Sequence, residues 1–211
     1  MGEARRKRAL AQQLNEQHAA LDAAVQQVAH ALRRLAEAAS AMLGSDCYTH
    51  AELGRVLLGD LGFVFETRVG AAAWRLGSAD GDVVSHIPGQ AGHIPPGARG
   101  FAYHAWLEAG DWLVDLTTYQ LRQKAVELDK ADGGRTNVDW CPDYLLLRRS
   151  QVLTHRQVAK APDAGGAYYE ASPQLAALMA DGFTLDADDV AAARFILRNP
   201  NMTVLGQNML R

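Results

Sequence analysis

From Ala4 to Leu43 the chain contains neither glycine nor proline, and Leu14, Leu21, Val28, Leu35 and Met42 recur every seven residues with Val25, Leu32 and Ala39 interleaved. That pattern predicts one long amphipathic helix. Unbroken, it would reach roughly 50–60 Å at 1.5 Å per residue, more than the core of a domain of this size needs. The apolar seam therefore packs on its own domain, the preferred reading, or pairs with a second copy, which makes a homodimer through the N-terminal helix an expectation about partners.

Gly44 is a natural stop for that helix, and Ser45 and Asp46 are N-caps for a second one through Ala51, Leu53, Val56, Leu57 and Leu58, ending at Gly62. Cys47 then stands in a helix's first turn. Downstream the pattern is extended from Phe63 to Val69 and from Ala72 to Leu76, followed by a Gly/Pro-rich loop from about Ile87 to Gly100. Strands are predicted over Phe101 to Glu108, Trp112 to Thr118 and Asp143 to Arg148, a loop around Asp163 to Gly166, and helices over Ser172 to Asp181 and Asp186 to Arg198. The order predicts an α+β fold in a single domain: a long helix (1–43), a core with the Cys helix packed on an antiparallel sheet (44–150) and a C-terminal helical extension (151–211).

Composition removes several function classes. A chain of 211 residues with 48% hydrophobic residues, 21% charged and two cysteines needs no metal or disulfide to hold a core. A net charge of −3 argues against nucleic acid or an anionic membrane as partner. The basic Arg5-Arg6-Lys7-Arg8 start is followed by polar residues such as Gln12, Gln13, Asn15 and Glu16 rather than an apolar run, so it reads as a solvated helix end and not a signal peptide. Arg6 stands where a myristoylation signal needs Ser or Thr. Cytoplasmic localisation is the resulting expectation, with no cofactor and no metal.

The two adjacent strands allow a register to be read. With Ala109-Gly110 as a two-residue turn, Glu108 opposes Asp111, Trp106 opposes Leu113, and His104 opposes Asp115. The other face then carries Phe101, Tyr103, Leu107, Trp112, Val114 and Leu116, a coherent apolar surface. A carboxylate beside an imidazole fixes its tautomer and favours its protonated form. A cysteine at a helix N-terminus, where the dipole favours thiolate, supplies a nucleophile. Cys47, His104 and Asp115 are thus candidates for nucleophile, base and orienting carboxylate.

Ser45-Asp46-Cys47 ahead of an apolar helix ending Leu61-Gly62-Phe63, then Tyr103-His104-Ala105-Trp106 and Trp112-Leu113-Val114-Asp115-Leu116-Thr117, resembles the core of the transglutaminase-like branch of the papain-like cysteine peptidase superfamily. The resemblance covers roughly residues 44–120. It implies a papain-like core, Cys47, His104 and Asp115 as a catalytic triad, and a peptide or amide substrate for a hydrolase or acyl transferase. An oxyanion needs donors. The Cys47 amide is the first candidate; the second is unidentified, since Ala41 to Gly44 offer no side-chain donor and Gln90 is a candidate by chemistry only.

Rival readings are weaker. Cys47 and His50 lie one helical turn apart, and His86 and His93 fall near the loop, but no paired Cys-x-x-Cys or His-Glu-x-x-His accompanies them. Trp74, Trp106, Trp112 and Trp140 read first as core anchors, and Cys141, before Pro142, as structural. The alternative function is a catalytically inactive binding or assembly protein that recruits its partner through the long helix.

Overall fold

The computed structural model describes residues 2–39, 46–88 and 101–206. In order, the elements are α1 (Gly2–Ala38), α2 (Cys47–Asp60), β1 (Glu66–Arg75), β2 (Val83–His86), β3 (His104–Ala109), β4 (Trp112–Asp115), α3 (Leu121–Asp132), β5 (Leu145–Arg148), α4 (His155–Lys160), β6 (Ala167–Ala171), α5 (Pro173–Asp181) and α6 (Ala187–Arg198). This is an α+β fold with helices packed on a curled antiparallel sheet. Among the described residues no helix is long and apolar enough to cross a membrane.

The heptad pattern divides α1 into two unlike halves. Leu21, Val25, Val28, Leu32 and Leu35 are buried against α2 and α6, so from Leu21 onward the seam packs on the chain's own core. Residues 11–20 are exposed, Leu14 among them at 51%. Met42, Gly44 and Ser45 lie outside the described residues. Helix α2 starts on Asp46, whose carboxylate accepts from the amides of Tyr48 and Thr49. It comes so close to the sheet that a Cβ on Gly54 would run into Leu116 Cδ1, so any other residue there requires the Leu116 side chain to shift.

Strand β1 organises the sheet. Gly70 pairs with His104 on one edge and Ala171 on the other, while Ala72 pairs with His86 and Tyr169. Hence β2 and β3 lie end to end along one edge of β1, and β6 lies along the opposite edge. The chain leaves that first edge at His86 and returns to it at His104, only two positions away along β1. Strands β4 and β5 extend the sheet beyond β3.

The β3–β4 register differs from the sequence reading. Ala109 pairs with Trp112, Glu108 with Leu113 and Leu107 with Val114, so the turn residues are Gly110 and Asp111. A primed two-residue turn needs positive φ at its first central position. Gly110 supplies it, at φ 56°, where Ala109 would be strained. Moving the turn by one residue displaces each pair by two and so preserves the faces. Asp115 is therefore diagonal to His104 rather than directly opposite it.

Each face of the sheet has its own core. Val69, Ala105, Leu107, Val114 and Leu116 face α1, α2 and α6 in an aliphatic core. Ala72, Trp74, Trp106, Leu113, Leu145 and Tyr169 pack beneath Leu121 and Ala125 of α3 in a smaller, aromatic one. The sequence reading missed α3, α4, β2 and β6. The two stretches expected over 63–69 and 72–76 form the single strand β1, Glu66–Arg75, and the C-terminal extension is not purely helical, because β6 belongs to the sheet.

Candidate active site

Cys47, His104 and Asp115 are brought together from the start of α2, the first residue of β3 and the end of β4. All three are buried, His104 and Asp115 completely. His104 Nε2 lies 2.9 Å from Asp115 Oδ2. The ionised carboxylate can only accept, so Nε2 carries the hydrogen and Nδ1 is left as the free ring nitrogen. Nδ1 is buried without a hydrogen-bond partner. The Cys47 thiol is near enough to the imidazole to help raise its pKa.

Asp115 is held on every side. Its Oδ2 also accepts the Tyr169 hydroxyl at 2.7 Å, and its Oδ1 accepts the Thr117 amide and hydroxyl, each at 2.9 Å. Burial by itself would raise its pKa, but the charge and hydrogen bond of His104, with the Thr117 and Tyr169 donors, hold it well below the usual carboxylate range. Burial likewise disfavours imidazolium at His104, and here too it is outweighed: Asp115, then Cys47, raise the imidazole above its ordinary value.

Aromatic rings fix the plane of the imidazole. Trp106 stacks with it at 6.3 Å and 13°, His86 at 6.0 Å and 16°, and Trp74 meets it edge-on at 4.7 Å. Trp74 Nε1 in turn donates to the Tyr169 hydroxyl at 2.8 Å. A chain of donors thus runs from Trp74 through Tyr169 to Asp115, keeping the carboxylate oriented toward His104.

Several of these residues were missed in the sequence. Tyr169 sits on β6, far along the chain from Asp115, and no local signal connects the two. Thr117 was readable in principle, because an Asp followed two residues later by a Thr forms an Asx turn. His50 is not presented as a metal ligand: its Nδ1 lies 3.2 Å from the Asp46 carbonyl and its Nε2 3.2 Å from the Tyr119 hydroxyl. Among the described residues no group of three or more His, Cys, Asp or Glu could hold a metal ion. His93 and Gln90 lie outside the described residues. Cys47 and Cys141 are both free thiols, and Cys141 Sγ donates to the Thr118 and Tyr119 carbonyls, each at 3.4 Å.

A scan against protein-family models and a search of the curated proteins each find no match. Among solved structures, the one described as "The crystal structure of genomics APC5867" is similar at a TM-score of 0.52 and 14% identity, over 88% of this chain and 82% of that one. At that identity the likeness speaks for the fold alone.

Proposed function

We propose that the chain is a cysteine-dependent hydrolase or acyl transferase of the transglutaminase-like branch of the papain-like superfamily, acting on a peptide or amide through Cys47, His104 and Asp115. The observation that carries this reading is the completely buried His104–Asp115 pair whose other ring nitrogen is buried without a hydrogen-bond partner, with Cys47 near enough to help raise the imidazole's pKa. A merely structural histidine in an aromatic core gains nothing from an unpartnered buried nitrogen, which costs about 1–3 kcal/mol. A base awaiting a proton does.

In this reading the thiol proton moves to His104 Nδ1, and the Cys47 thiolate attacks the substrate carbonyl carbon. The new S–C bond forms as the carbonyl π pair moves onto oxygen. The oxyanion then collapses, the C–N bond breaks, and the imidazolium returns its proton to the leaving amine. Water or a second amine, deprotonated by the same nitrogen, takes the acyl group from the thioester. Asp115 stays ionised throughout and holds the ring. A reducing compartment, the cytoplasm, suits a mechanism that needs Cys47 as a free thiol.

The test is the pH dependence of Cys47 alkylation by iodoacetamide in a Cys141→Ser background. With the triad operating, Cys47 reacts readily at pH 6, where an ordinary thiol of pKa about 8.5 is almost wholly protonated. His104→Ala abolishes that reactivity, and Asp115→Asn lowers it by stabilising the wrong tautomer. A profile indifferent to His104 sinks the proposal.

A further inference from the structure

Helix α3 lies on the aromatic face of the sheet, where its Leu121 and Ala125 are buried. Lys124, on the same turn, is half-buried, and its ammonium stands over the Trp74 ring, 6.0 Å from the centre. The His104 imidazole meets that same indole at 4.7 Å. A lysine ordinarily carries its head into water. An acidic partner was also within reach on α3 itself, because Glu127 stands three residues on, the spacing of a helical ion pair. Glu127 accepts from Gln123 Nε2 at 2.9 Å, and Lys124 turns inward over the indole.

The other cations near this site have their carboxylates. Arg68 and Arg149 share Glu108, which also accepts Trp106 Nε1 at 2.7 Å, and Arg33 takes Glu37 and Asp143. Among the described residues no carboxylate comes within ion-pair distance of Lys124. Residues 87–103, which join His86 of β2 to His104 of β3, contain one Arg and no Asp or Glu. The charge of Lys124 also reaches the Cys47 helix: burial first, and this ammonium as well, keeps His50 neutral within the first turn of α2. A half-buried positive charge thus stands beside the rings that hold the base, on the side facing the nucleophile's helix.

Resting on the thiol-nucleophile reading above, we propose that Lys124 is a specificity residue, and that the substrate carries a carboxylate close to its scissile amide and docks it on this ammonium. An ammonium is a point charge that accepts a carboxylate from several directions, so it selects charge more than shape. Partial removal from water strengthens the attraction over that of an exposed lysine.

Two alkylating agents that differ by one charge test this. Iodoacetamide is neutral and iodoacetate carries a carboxylate; both form an S–C bond with loss of iodide, so the ratio of their rates cancels the thiolate fraction of Cys47. In a Cys141→Ser background at low salt, Lys124→Gln lowers the iodoacetate-to-iodoacetamide ratio about fivefold, as one partly screened charge at this range should, and Lys124→Arg restores it. Lys130→Gln, at the exposed end of the same helix, leaves the ratio unchanged. An equal fall with Lys130→Gln would show that net charge alone is at work and would overturn the assignment, as would a ratio indifferent to Lys124→Gln.

Two esters then show which side of the scissile bond bears the carboxylate. p-Nitrophenyl hydrogen glutarate carries it on the acyl group and 4-acetoxy-3-nitrobenzoate on the leaving group. Acylation by each is read as the burst of nitrophenolate and set against that by neutral p-nitrophenyl acetate. Lys124→Gln lowers one of the two about fivefold relative to the acetate; if neither falls, the proposal fails. Iodoacetamide alkylation that ignores His104→Ala sinks the triad and this reading with it, whereas a His104-dependent thiol whose ratio ignores Lys124 sinks this reading alone.

Discussion

The two faces of the sheet are built for different tasks. The face toward α1, α2 and α6 is lined by Val, Leu and Ala that touch one another and need no partners beyond shape. The opposite face carries Trp74, Trp106 and Tyr169 together with a fully buried imidazole and carboxylate. Buried polar groups tolerate little error, because each must find its partner. Aromatic rings with one polar handle suit that face, since Trp74 Nε1 and the Tyr169 hydroxyl both fill the volume and feed the hydrogen-bond chain to Asp115. One face holds the fold together, and the other fixes a geometry. Cys47 belongs to the aliphatic side, at the N-terminal end of α2, while His104 opens β3 among the rings of the other.

The sharpest way to break this contrast is to damage each face separately. Leu57 of α2 is completely buried in the aliphatic core, and Leu57→Ala should cost about 3 kcal/mol in denaturant unfolding. Per folded molecule, Cys47 alkylation should be unchanged. A loss of reactivity at constant folded fraction would mean that the faces are coupled.

Tyr169→Phe attacks the other face. It removes the hydroxyl given to Asp115 and leaves Trp74 Nε1 buried without its acceptor. The expected stability loss is smaller, about 2 kcal/mol, but acylation per folded molecule should fall about tenfold as the carboxylate loses its fixed orientation. Unchanged acylation would reduce Tyr169 to a packing residue.

The smallest effect is in the pH dependence of stability. Burial depresses His50, so its neutral form is retained in the folded state; its contribution is complete above about pH 6.5 and is lost as the pH falls through the lowered folded value. His104 is raised, so its contribution is complete below about pH 6.5 and is lost as the pH rises through the raised folded value. Asp115, held low, keeps its part down to strongly acidic pH. Stability from these groups should peak near pH 6.5, with a slope of at most about 1.4 kcal/mol per pH unit on either side for one proton. In thermal unfolding, His50→Gln should flatten the acidic limb and His104→Gln the basic one. The reverse assignment would mean that the two imidazoles exchange roles.

Much of this molecule was determined by local sequence. The glycine-free run from Ala4 produced α1, the Asp46 cap placed Cys47 in the first turn of α2, and alternation from Tyr103 to Leu116 sorted the two faces of the sheet. Those features depend on periodicity and on side chains close in the chain, so a sequence displays them directly. The sequence also put His104 and Asp115 on one face, although only the positive φ at Gly110 fixed the diagonal register.

Tertiary structure decided the rest. Nothing near Asp115 announces Tyr169, which arrives on β6 only because Gly70 lets that strand approach β1: a Cβ there would lie 2.0 Å from the Glu170 carbonyl oxygen. Nor does the periodicity of α1 say where its seam stops being covered, since that depends on how far α2 and α6 extend beneath it. Hydrogen bonds and packing between distant segments depend on where the folded backbone brings them together, and no local pattern encodes that meeting.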